Sequence, residues 1–254
     1  NMRHRRQITE INGHTCIIHS EDNAKDFLIQ PVDSHDTEEL EHQISYIEEH
    51  SSATFTHIAI RIEKWNAELT PWSAPPVFGK IPFGEGANHT LLYISQQLIP
   101  ELQHLYNSSI CGENTFLGGY SLAGLFALWV SYQAEIPFNG IAAASPSAWY
   151  TGWLDYAESH TPQVKNAYLS LGDKEEKTKT KLMSTIRKDM LSQEHIYKTK
   201  GVNCKMEWNE GNHFQDNGIR MAKGFVWLLA NLKIMKYHCN FCNTFAFFVV
   251  KSVQ

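Results

Sequence analysis

From residue 115 to residue 233, short apolar or β-branched runs alternate with longer segments whose apolar residues recur at helical spacing. Strands are expected at 115–119, 138–145, 166–172 and 203–208, and helices at 121–133, 177–195 and 218–233. Successive strands separated by a helix can pair only through a crossover. The sheet is therefore mostly parallel and needs helices on both faces. Upstream, strands are expected at 14–19, 27–32 and 56–62, with a helix at 36–50 that presents Leu40, Ile44 and Ile47 on one side. A second helix, 88–106, aligns Leu91, Ile94, Leu98, Leu102 and Leu105, with a kink expected at Pro100. Between them, residues 63–86 hold Pro71, Pro75, Pro76, Pro82, Gly79, Gly84 and Gly86 and read as a long irregular loop, a kind of segment that is usually functional. The tail 236–254 fits none of these patterns. No repeat or linker interrupts the chain, so one domain over 1–254 is expected, with its core at about 14–235.

Gly118-Gly119-Tyr120-Ser121-Leu122-Ala123-Gly124 falls where a strand turns into a helix. A serine held on such a turn, with small neighbours that let strand and helix approach, is a nucleophile elbow. Gly119 lies two residues before Ser121, and Ala123 lies two after it, where the usual pattern has glycine. The backbone N–H of Leu122 then opens the helix and can donate to an oxyanion. The plainer alternative is an N-cap serine in a chance GxSxA match.

The α/β-hydrolase fold places an acid and then a histidine after later strands, in the order Ser, acid, His. Both slots are filled. The run 167–171 ends in Gly172-Asp173-Lys174-Glu175-Glu176, and the run 205–208 ends in Asn209-Glu210-Gly211-Asn212-His213. Of the histidines after Ser121, only His213 follows a strand at a glycine turn, whereas His160, His195 and His238 stand in helical or tail contexts. The place three residues past the strand-ending Gly172 favours Glu175 as the acid; Asp173 and Glu176 stay open. A second oxyanion donor is expected near Trp65 or Asn66, after the early strand 56–62. Trp72, Phe78, Trp149, Tyr150 and Trp153 could form an apolar substrate wall or simply core, and Ser145 and Ser147 read as turn residues.

With 254 residues and 43% hydrophobic side chains, the chain can build one sizeable core. A formal charge of −5 offers no basic field for nucleic acid. The 13 histidines are scattered without metal-ligand spacing, and the single CxxC, Cys239 to Cys242, is weak evidence for zinc. Five cysteines suggest no disulfide framework. No apolar stretch follows the basic residues at 3–6, and the run 245–250 is too short to span a bilayer, so a cytoplasmic protein without membrane contact is expected, its Asn88 and Asn107 sequons free of glycan.

Gly119-Tyr120-Ser121-Leu122-Ala123-Gly124, Ala144-Ser145-Pro146-Ser147-Ala148-Trp149-Tyr150 and Gly211-Asn212-His213-Phe214 together resemble the putative esterase family, which includes esterase D-like enzymes and hydrolases of enterochelin-type siderophores. The resemblance covers roughly residues 25–235. It implies an α/β-hydrolase fold without a large lid domain, hydrolysis of a small-molecule carboxylic ester, and no metal or organic cofactor. The expected catalytic set is Ser121, His213 and Glu175, with the backbones of Leu122 and Trp65 at the oxyanion. An acyltransferase or thioesterase on the same fold, and a non-catalytic binding domain, are the competing readings.

Overall fold

The computed structural model describes residues 3–106 and 110–246, with side chains as far as residue 231. Asn107 and the Cys239 and Cys242 side chains lie outside that range. Eight strands form one sheet: β1 (Arg5–Ile11), β2 (His14–Ser20), β3 (Asp26–Val32), β4 (Phe55–Arg61), β5 (Thr115–Tyr120), β6 (Gly140–Ala144), β7 (Asn166–Gly172) and β8 (Asn203–Asn209). Their order is β1-β2-β4-β3-β5-β6-β7-β8. The pairs β1–β2 and β2–β4 are antiparallel, and every other pair is parallel. This is the α/β-hydrolase sheet, and its mostly parallel pairing is what the alternation of elements predicts.

Side chains of period two divide the core into layers. Leu117, Ile141, Ala143, Leu169 and Leu171 face one side and pack with Phe126, Leu128 and Met190. Phe116, Ala142, Ala144 and Tyr168 face the other and pack with Ile44, Ile47, Phe225 and Leu229. The first side is covered by α3 (Ala87–Tyr93), α4 (Ile99–Tyr106), α5 (Leu122–Val130), α6 (Trp153–Ser159) and α7 (Ile186–Thr199); the second by α1 (Ser34–His50) and α8 (Asn217–Ala246). Each large side chain fully buried here contributes roughly 1.5–3 kcal/mol.

Four details depart from expectation. β1 extends the sheet to residue 5, because Asn12 (φ 46°) and Gly13 (φ 87°) make the two-residue turn that pairs it with β2. Its Arg5 and Arg6 suit an exposed edge strand and mask the alternation. At Pro100 the chain does not break. A π-turn, Ile94–Leu98, precedes it, with Ile99 N–H bonded to Ile94 O, and the wider turn carries the helix past the proline. The helix expected at 177–195 begins only at Ile186, after a Lys/Thr-rich stretch of turns, and runs to Thr199. α8 continues through the start of the unassigned tail to Ala246. No helix among the described residues is long and apolar enough to cross a membrane.

Beneath α1, the fully buried His57 ring contacts Gln30 Oε1 at 2.9 Å, and Gln43 Nε2 donates to the same oxygen at 2.6 Å. Burial, reinforced by His19 and His4, holds His57 well below the usual histidine range. The folded imidazole therefore stays neutral at a pH where the unfolded chain takes up a proton. Stability should be complete above about pH 6.5 and decline below it, with a slope approaching 1.4 kcal/mol per pH unit per proton. Urea melts between pH 7.5 and 5 check this: the decline should be shallower in His57→Asn, and identical slopes would rule the origin out.

Candidate active site

Ser121 stands at φ 59°, ψ −121°, between the last residue of β5 and the first of α5. A non-glycine residue rarely adopts this backbone, and the surroundings must impose it. A Cβ on Gly119 would lie 2.1 Å from Ala123 O, so glycine is required there. On the helix side the close approach is made by Gly124, where a Cβ would meet Pro146 Cβ at 2.8 Å. Ala123, completely buried, fits without such a conflict, which explains why the usual glycine is dispensable. Ser147 N–H donates to Ser121 O at 3.0 Å and Ser121 N–H to Ala144 O at 3.3 Å, so both ends of the turn are tied down.

The chain brings the three predicted side chains together. His213 Nε2 lies 3.1 Å from Ser121 Oγ, and His213 Nδ1 lies 2.9 Å from Glu175 Oε2. With Nδ1–H donating to the carboxylate, Nε2 keeps its lone pair toward the serine hydroxyl. Asp173 is elsewhere: its Oδ1 accepts from Gly211 N–H at 2.8 Å, which joins the loop after β7 to the loop that carries His213. Glu176 lies within 3.9 Å of Arg187 and does not contact His213.

Glu175 is almost entirely enclosed, its side chain 5% exposed. Burial pushes its carboxyl up, but the hydrogen bond and charge of His213, with the Ser145 hydroxyl and Gly172 N–H, outweigh this and hold it below the usual carboxylate range. Oε1 accepts from Ser145 Oγ (2.6 Å), Gly172 N (2.8 Å) and Arg220 Nη1 (3.2 Å). Tyr120, next to the serine, donates its phenol O–H to His213 O at 2.7 Å. Burial, then the Glu175 charge, push the Tyr120 phenol up, so it remains a donor.

Ser145, Tyr120 and Arg220 bond to members of this relay, and sequence reasoning missed all three contacts. Ser145 belongs to the SPS stretch but reads locally as a turn residue; its left-handed φ of 43° turns its hydroxyl onto the acid. Arg220 sits in no motif.

A cleft of about 180 Å³ opens over Ser121, with Trp65, Tyr120 and Phe214 as its aromatic lining and Asp33, Asp36 and Asn217 among its polar residues. Phe214 is 76% exposed at the rim. Trp65 opens the short helix α2 (Trp65–Glu68), so its N–H belongs to a first turn. Because β3 lies between β4 and β5, the start of α1 also reaches this cleft, through Asp33 and His35. Of the two readings open for Trp72, Phe78, Trp149, Tyr150 and Trp153, the cleft favours the packing one: none of them lines it, and Trp72 and Tyr150 fasten the long loop. Trp72 Nε1 donates to Thr151 O, Tyr150 O–H to Trp72 O, and Trp153 is fully buried. A larger hollow, about 490 Å³ beside Arg5, Asp22 and Tyr106, shares no residue with the cleft. Among the described residues, no three His, Cys, Asp or Glu side chains converge to hold a metal ion.

Residues 38–217 match the family model described as putative esterase. A curated relative, the uncharacterized protein YbbA of Bacillus subtilis (strain 168), is 26% identical over 147 residues, 57% of this chain. The match spans 59% of that relative's length. Among solved structures, an IroE-like serine hydrolase from Shewanella oneidensis superposes with a TM-score of 0.73 at 14% identity, covering 89% of this chain and 80% of its own. Siderophore hydrolase EstA from Aspergillus nidulans gives 0.66 at 20% identity, covering 91% of this chain and 95% of its own. At these identities, the structures bear on the fold.

Proposed function

The chain belongs to the putative esterase family, and on that basis we propose that it is a serine hydrolase that cleaves a small-molecule carboxylic ester through an acyl-enzyme. The observation that carries this reading is the continuous relay from Glu175 Oε2 through His213 to Ser121 Oγ, at 2.9 and 3.1 Å. His213 takes the hydroxyl proton as Ser121 Oγ attacks the ester carbonyl, then returns it to the leaving alcohol oxygen. Water repeats the sequence on the acyl-enzyme and frees the carboxylic acid. Glu175 fixes the tautomer and balances the imidazolium. The resemblance of the sequence and the names of the structural relatives suggest siderophore-like esters as one group to assay. A cytoplasmic setting accords with free thiols at Cys16, Cys111 and Cys204.

The Leu122 N–H is the first oxyanion donor, at the positive end of α5. The second is Trp65 N–H or, as the position of β3 beside β5 favours, a first-turn amide of α1. Proline at the first helical position removes an N–H while keeping the helix. Of Ser34→Pro and Trp65→Pro, the variant that deletes the donor should lose about 100- to 1000-fold in kcat. Trp65→Ala controls for loss of the indole. Full activity in both proline variants would remove both positions from the assignment.

Hydrolysis is tested by following p-nitrophenyl acetate with and without added alcohol or thiol acceptors. Acetic acid should remain the main product. Predominant transfer to the acceptor would instead make the chain an acyltransferase.

A further inference from the structure

Arg220, in the first turns of α8, is 1% exposed, and its guanidinium meets all three loops that carry the relay. Nη1 lies 3.2 Å from Glu175 Oε1, 3.2 Å from Tyr120 Oη and 3.4 Å from Ser145 Oγ, while Nη2 donates to Glu210 O at 2.8 Å. Tyr120 precedes Ser121 and donates to His213 O; Glu210 lies three residues before His213; Ser145 donates to the acid. One cation thus joins the end of β5, the loop after β6, the acid loop after β7 and the base loop after β8. Such a group is expensive to bury without a partner charge, and Glu175 is the carboxylate placed to balance it.

We propose that Arg220 is a positioning residue that acts through Glu175. Together with Ser145 and Gly172 it saturates Oε1, so the carboxylate cannot rotate and Oε2 alone is presented to His213 Nδ1. Its second arm fixes the base loop through Glu210 O, so acid and base keep their separation as the imidazole gains and loses a proton. A merely structural arginine would hold the fold and leave the geometry of that single contact unaffected. The inference rests on the catalytic roles proposed above, and those are settled by wild type and Ser121→Ala before Arg220 is changed.

A double-mutant cycle separates the two roles. Activity is expressed per site titrated to completion with a fluorophosphonate, which removes differences in the folded fraction. Arg220→Gln should lower kcat for p-nitrophenyl acetate about thirtyfold with KM within about twofold. In a Glu175→Gln background the same change should cost less than about threefold, since the contact it served is already broken. Arg220→Lys keeps a charge but not the two-armed reach, and should recover part of the loss. Unchanged kcat in Arg220→Gln, or an equal loss with and without Glu175, overturns the proposal. If Arg220→Gln does not fold, Arg220→Lys decides by the same cycle: about a fivefold loss beside Glu175 and none beside Gln at that position supports it, and equal losses sink it.

Discussion

Ser121→Ala is expected to lower p-nitrophenyl acetate turnover by at least about a thousandfold, and His213→Ala by a similar factor. A thousandfold corresponds to about 4 kcal/mol of lost transition-state stabilisation. In the proposed mechanism the two residues act as one unit. Without Oγ there is nothing to acylate, and without Nε2, 3.1 Å away, the hydroxyl proton has no acceptor. The double variant should therefore be little worse than either single one. Ser121→Ala keeps the Cβ that this backbone strains and removes only the hydroxyl, so stability should change little while activity falls. Melting temperatures measured beside the rates check this, and near wild-type turnover in either variant would remove that residue from the mechanism.

Glu175→Gln should cost about 100- to 1000-fold in kcat, against less than about threefold for Asp173→Asn. The amide oxygen of Gln would keep the three donors around Oε1: Ser145, Gly172 N–H and Arg220. That leaves the NH2 group facing His213 Nδ1, where the carboxylate accepted at 2.9 Å. Two donors cannot share that contact, so the imidazole must switch its proton to Nε2 and lose its capacity to accept from Ser121. Asp173→Asn retains the oxygen that receives Gly211 N–H, so the base loop stays in register. Comparing kcat of the two variants decides between the carboxylates; a larger loss in Asp173→Asn would reverse the assignment.

Much of this site is written in local sequence. Ser121 follows from a strand-turn-helix with small flanking residues, and His213 from a glycine turn after a strand. Glu175 follows as the favoured of three neighbouring carboxylates; the fold had to bring β7 and β8 side by side before Asp173 and Glu175 diverged in direction. The second oxyanion region is less legible, because strand order rather than chain order decides which loop lies beside β5. The start of α1, Ser34, lies far upstream of Ser121 in the chain, and no spacing rule marks it. Arg220 is hidden for the same reason. Its partners at 120, 145 and 175 are 45 to 100 residues away in the chain and come together only across the sheet ends. Asn12-Gly13, in contrast, is a plain hairpin signal, obscured by the charges of β1.

The most direct measurement is the mass of the folded chain after exposure to a fluorophosphonate, with the adduct located by peptide mapping. A single adduct on Ser121, absent from Ser121→Ala and formed far more slowly in His213→Ala, is the expected result. A folded chain that takes no adduct contradicts the account and leaves the non-catalytic binding domain as the reading; an adduct on another residue contradicts a serine nucleophile at this turn.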